Sequence, residues 1–79
     1  MSTPIVHTPY RELRAAGITD DALWWDSSVR DAIDAAAVRH CVSAEDVHLR
    51  LGAEIMEADT PAGSIERAAE TVAELDAAG

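Results

Sequence analysis

Apolar residues recur at three- and four-residue spacings along most of this chain, most densely in Ser43–Ala58, SAEDVHLRLGAEIMEA. Val47, Leu51 and Ile55 make one helical stripe there. Leu49 and Met56 lie nearly opposite, about 200° and about 180° from Val47 on a 100°-per-residue wheel. Apolar residues on two opposite faces predict a helix covered on both sides, at the centre of the fold. Ser43 is its expected N-cap, with Asp46 where a capping box carries an acid. Gly52 costs roughly 1 kcal/mol of helix propensity against Ala. It permits either close helix contact or a kink.

The rest of the pattern places helices around that one. Residues 1–8 hold two prolines and an Ile5-Val6 pair, and read as an extended arm, at most a short strand. Thr8-Pro9 is a start signal, Thr capping and Pro first in the helix. Tyr10, Leu13 and Arg14 then face inward, and Gly17 stops the helix. Thr19 caps next, with Asp20 and Asp21 at the positive end of the dipole. Over 20–41 two readings are open. One is a single helix, straight or bent, whose inner face carries Ala22, Trp25, Val29, Ala32, Ile33, Ala36 and His40. The other breaks at Asp26-Ser27-Ser28, with Ser28 recapping. The aligned face favours the single helix. Asp59–Gly63 reads as a loop. Ser64 caps a last helix, Ile65–Ala78, with Ile65, Ala68, Ala69, Val72 and Leu75 inside and Glu66, Glu70 and Glu74 as an outer stripe. The pattern thus predicts an all-α single domain: an arm at 1–8, then a bundle of three to four helices over 9–79 around a central helix at about 44–58.

Composition thins the expected core. The chain has 79 residues and is 48% hydrophobic, but sixteen of the apolar residues are Ala. A core this small points to a homodimer or a bound partner. All six cations are Arg, and Lys, Asn, Gln and Phe are absent, as in high-GC coding.

The net charge of −9 gathers in two acidic blocks, Asp20–Asp34 and Glu54–Asp76. It disfavours direct nucleic-acid binding and adhesion to an anionic membrane. It favours a basic protein partner. A single Cys, Cys41, allows no internal disulfide and suits a reducing compartment. With no long apolar run and no signal-peptide pattern, the expected location is the cytoplasm, the host's if the chain is phage-encoded.

Candidate chemistry is sparse. His7, His40, His48 and Cys41 lack zinc-ligand spacing, so no metal or other cofactor is expected. The serines serve as caps or linkers, and no phosphate-binding loop is present. An enzyme is not expected. Trp25 is assigned to the core, and Trp24 to a boundary where an aromatic suits an interface. The leading expectation is a non-catalytic interaction protein that meets a basic surface through Glu66, Glu70, Glu74, Asp20, Asp21, Asp26 and Trp24. In size, charge and composition the chain is similar to phage-encoded inhibitors, including anti-CRISPR and DNA-mimic proteins, a likeness of class that involves no motif.

One local pattern implies an alternative. Ala37–Val47, AVRHCVSAEDV, resembles the turn of helix-turn-helix and ribbon-helix-helix DNA-binding families. The resemblance implies a small regulator or antitoxin. Cys41 stands where those families prefer Gly, and Glu45 and Asp46 open the would-be recognition helix. A third expectation, from the thin core, is a structural subunit of a larger assembly.

Overall fold

The structure, a computed structural model, describes residues 5–54 and 60–78. Arm residues 1–4 lie outside the described residues, as do Ile55, Met56 and the rest of the expected central helix to Ala58. All the regular structure among the described residues is helical. A 3-10 turn, Ile5–His7, precedes α1 (Tyr10–Ala15), α2 (Asp20–Trp25), α3 (Ser27–His40), α4 (Ala44–Glu54) and α5 (Pro61–Ala78). The fold class is therefore all-α, with five α-helices among the described residues.

Local chemistry explains most boundaries. The described part of the arm is a turn and not extended chain, and its Ile5 and Val6 pack on the core. Pro9, with ψ 132°, occupies the N-cap position itself. α1 therefore starts at Tyr10, and the expected Thr8 cap is not formed. Gly17 follows α1 at φ 87°, while Ile18 N–H returns to the Leu13 carbonyl. A Cβ at Gly17 would meet nothing within 4 Å, so the positive φ and not crowding calls for glycine. Thr19 caps α2 as expected, its hydroxyl accepting from Ala22 N–H at 3.2 Å.

The single helix over 20–41 is not what forms. Asp26 takes extended backbone (φ −76°, ψ 124°), closing α2 and capping α3 at once. Its Oδ1 accepts from Ser28 N–H (3.0 Å), Ser28 Oγ (2.6 Å) and Val29 N–H (3.2 Å). Asp26 is the cap, and Ser28 donates to it. One extended residue also resets the helical phase. Leu23 is buried in consequence, while Trp25, the expected core residue, is 76% exposed.

The Asp26 carboxyl is held below the usual aspartate range, first by the Ser28 hydroxyl and then by the Val29 and Ser28 N–H groups, against a smaller opposing effect of burial. A lowered folded value adds stability at pH above the ordinary aspartate pKa of about 3.9, and that stability is lost as pH falls through the folded value. Asp26→Ala should cost about 1 kcal/mol, a fall in Tm of roughly 4–8 °C. In melts from pH 5 down to pH 2, wild type should lose stability more steeply than Asp26→Asn, which keeps an acceptor but no titrating group.

α3 ends in a left-handed residue, Cys41 (φ 57°, ψ 44°), with Val42 N–H bonded to the Ala37 carbonyl. α5 begins four residues before its expected start. Thr60 Oγ1 accepts from Gly63 N–H, and Pro61 opens the helix. Ser64, expected to cap, is instead buried with no hydrogen-bond partner for its hydroxyl.

The core joins Tyr10 and Leu13 of α1, Leu23 of α2, Val29, Ile33, Ala36 and Ala37 of α3, Val47 and Leu51 of α4, and Ile65, Ala68 and Ala69 of α5. Small Ala side chains at facing positions let helix axes approach closely. α3 packs against the 3-10 turn, α2, α4 and α5. α4 packs on α5, α3 and α2, but from one side: Leu49 is 74% exposed. Two-sided burial of the Ser43–Ala58 helix therefore fails at Leu49. Leu75, expected inside α5, is 55% exposed, since it lies a turn beyond the last buried residue, Val72. Arg14 is exposed as well.

Candidate functional site

The acidic side chains named from the sequence separate into those used inside the molecule and those facing out. Asp26 is half-buried and occupied as a cap. Glu66 sits at the α3–α5 contact. One of its carboxylate oxygens pairs with Arg39, and the other lies 3.0 Å from His40 Nε2. The expected outer stripe of α5 therefore begins with a residue turned toward α3. Its next two members, Glu70 and Glu74, are exposed, as is Asp76. On α2, Asp21 is exposed, while the Asp20 side chain lies outside the described set. α2 and α5 make no substantial contact with each other, whereas α3, which carries Asp31 and Asp34 of the first block, packs on α5.

The second block also has an internal member. Glu54 is only 14% exposed and lies between two guanidinium groups, Arg50 Nε at 3.6 Å and Arg67 Nε at 3.9 Å. The Thr71 hydroxyl donates to it at 3.3 Å. Arg67, the one cation of α5, thereby reaches across to α4. Charge counts along the chain do not resolve which acids are neutralised across helices. That requires the packing of α4 and α3 on α5.

Trp24 is half-buried, a boundary residue as expected. Its ring lies 4.5 Å from that of His48, and the Arg30 guanidinium sits 4.6 Å from its centroid. Among the described residues the exposed large apolar side chains are Trp25, Val38, Leu49 and Leu75, on four different helices. Sequence reasoning missed Trp25, because the phase reset at Asp26 is invisible to a wheel drawn through it.

The segment that resembles a helix-turn-helix forms a helix, a three-residue connection and a second helix, with Cys41 adopting the backbone that those families assign to Gly. Glu45 and Asp46 are exposed at the start of α4. His48 and Arg50 are half-buried, turned toward Trp24 and Glu54.

Imidazole and carboxylates come together in one place among the described residues: His40, Glu66 and Glu70 offer ligand atoms within 4.8 Å of one another. His7 and His48 are not in this group. No helix among the described residues is long and apolar enough to cross a membrane. Comparisons with protein-family models, with curated proteins and with solved structures gave no match.

Proposed function

We propose that this chain is a non-catalytic interaction protein that docks on a basic, nucleic-acid-binding protein surface, in the manner of a phage-type inhibitor such as an anti-CRISPR or DNA-mimic protein. The observation that carries the reading is the outward face of α5. Glu70 and Glu74 are exposed there one turn apart, the last turn holds no basic residue, and Arg67 is drawn toward Glu54; Asp76 is exposed too, about 120° round the helix from Glu70. Asp76, in the last turn, opposes the helix dipole at about 0.3–1 kcal/mol. An i,i+4 pair of like charges adds a few tenths of a kcal/mol. A face that weakens its own helix is better accounted for by a cationic partner than by solubility, which acids elsewhere provide without that cost. Asp21 on α2 is a secondary contact, and the half-buried Trp24 borders it. Glu66 and Asp26, being occupied internally, are set aside as contacts.

Glu70→Lys/Glu74→Lys should abolish capture of basic nucleic-acid-binding proteins from bacterial lysate while Tm holds or rises. Identical sets of proteins retained by wild type and variant, identified by mass spectrometry, would overturn the reading.

The left-handed Cys41 turn supports a second reading, a small DNA-binding regulator. Retardation of duplex DNA by micromolar protein at low salt would favour it over the first. The sign of charge at Glu45 and Asp46 opposes it.

A further inference from the structure

We propose that His40, Glu66 and Glu70 form a binding site for one divalent transition-metal ion of the zinc class, clipping the end of α3 to α5. The donors come from two helices already packed together. His40 is the last residue of α3, fixed in place by the left-handed turn at Cys41. Glu66 and Glu70 stand one turn apart on α5. The ligand atoms of all three lie within 4.8 Å of one another, and His40 Nε2 is already 3.0 Å from Glu66 Oε2. A tetrahedral ion with bonds of about 2.0–2.1 Å holds its donors roughly 3.4 Å apart. Two donors therefore stand near that spacing. The third, Glu70, is exposed and closes the gap by changing rotamer.

The donor set selects the class of ion. One imidazole and two carboxylates suit Zn²⁺, Co²⁺ or Ni²⁺, whereas Mg²⁺ and Ca²⁺ prefer oxygen ligands alone. Glu66 also carries its own outer support. Arg39 pairs with Oε1, leaving Oε2 on the side of His40. Partners of this kind orient ligating carboxylates. An ion here would also relieve the repulsion between Glu66 and Glu70. A fourth position would be filled by water. The helix spacings that exclude a zinc motif in the sequence do not bear on this group, because twenty-six residues separate His40 from Glu66. The proposal does not depend on the docking role of α5.

Titration of the full chain with ZnCl₂, followed by calorimetry, should give one equivalent bound. Linkage of binding to folding should raise Tm by about 5 °C at saturation. Co²⁺ in place of Zn²⁺ should develop visible absorption. His40→Gln and Glu70→Gln should each weaken Zn²⁺ binding about tenfold or more, with helical circular dichroism unchanged. Glu70 is exposed, so its variant folds whatever becomes of His40. Cys41→Ser and His7→Gln should bind as wild type, and MgCl₂ should change nothing. Absence of Zn²⁺ binding by wild type would overturn the proposal. So would affinity retained in both His40→Gln and Glu70→Gln, or lost in Cys41→Ser.

Discussion

Leu51→Asp leaves the chain without a cooperative thermal transition. Leu51 is fully buried, one turn after the equally buried Val47, on the face of α4 that packs against α5 and α3. Removing a buried Leu side chain costs about 2–5 kcal/mol through lost transfer energy and the cavity left behind. A carboxylate in its place adds a desolvation penalty of several kcal/mol, because no cation among the core residues can pair with it. A domain of this size has a total stability of roughly 4–12 kcal/mol. The sum reaches or exceeds that margin. Leu49→Asp is the matched control: two residues away on the same helix, 74% exposed, and expected to change stability by no more than about 0.5 kcal/mol. Circular dichroism melts of the two variants side by side test which face of α4 is inside. A cooperative transition retained by Leu51→Asp, or lost by Leu49→Asp, would invert that assignment.

The contrast between Leu51 and Leu49 also marks how far the sequence could be read. Stripes at helical spacing identify Tyr10, Leu13, Val29, Ile33, Ala36, Val47, Leu51, Ile65, Ala68, Ala69 and Val72, all of them buried. Periodicity reports the presence of an apolar face, not whether anything covers it. Leu49 is one apolar residue left 74% exposed on the side of α4 away from Val47 and Leu51, and Leu75 lies where α5 extends past the last buried turn. Caps were legible where one side chain fits one role, as at Thr19 and Gly17. They were ambiguous where two residues compete. Asp26 prevails over a continuous helix because one carboxylate oxygen satisfies two N–H groups and a hydroxyl. Thr60-Pro61 prevails over Ser64 because Pro in the first turn sacrifices no hydrogen bond. Of the candidate contacts, the exposed Glu70 and Glu74 were legible from spacing. The internal roles of Glu66 and Glu54 were not: Glu66 depends on Arg39 and His40 of α3, and Glu54, although it has Arg50 four residues before it, depends on Arg67 and Thr71 of α5.

Glu54→Lys should destabilise the fold by about 1–2 kcal/mol, above the range for a fully exposed pair because Glu54 itself is only 14% exposed, and below that for a buried pair because its partners are half exposed. The wild-type carboxylate faces Arg50 and Arg67, and it shares the single Thr71 hydroxyl proton, at 3.3 Å, with the nearer Arg67 carbonyl at 2.9 Å. Arg50 Nε is itself buried without a hydrogen-bond partner, and Glu54 is the anion that faces it. A lysine would place three cations at the α4–α5 contact and leave Thr71 only the Arg67 carbonyl as acceptor. Glu54→Gln keeps an acceptor and loses the charge. It should cost about 1 kcal/mol, since the two arginine side chains are 41% and 48% exposed and partly screened by water. If attraction to Arg67 is what matters, Glu54→Lys combined with Arg67→Glu should regain part of the loss in a urea denaturation cycle. No recovery would mean that Glu54 acts through packing and the Thr71 hydrogen bond. The same comparison separates fold from docking. Glu54 lies in the more acidic block of the sequence yet is turned inward, so its reversal should lower Tm, whereas reversal of the outward Glu70 and Glu74 should not.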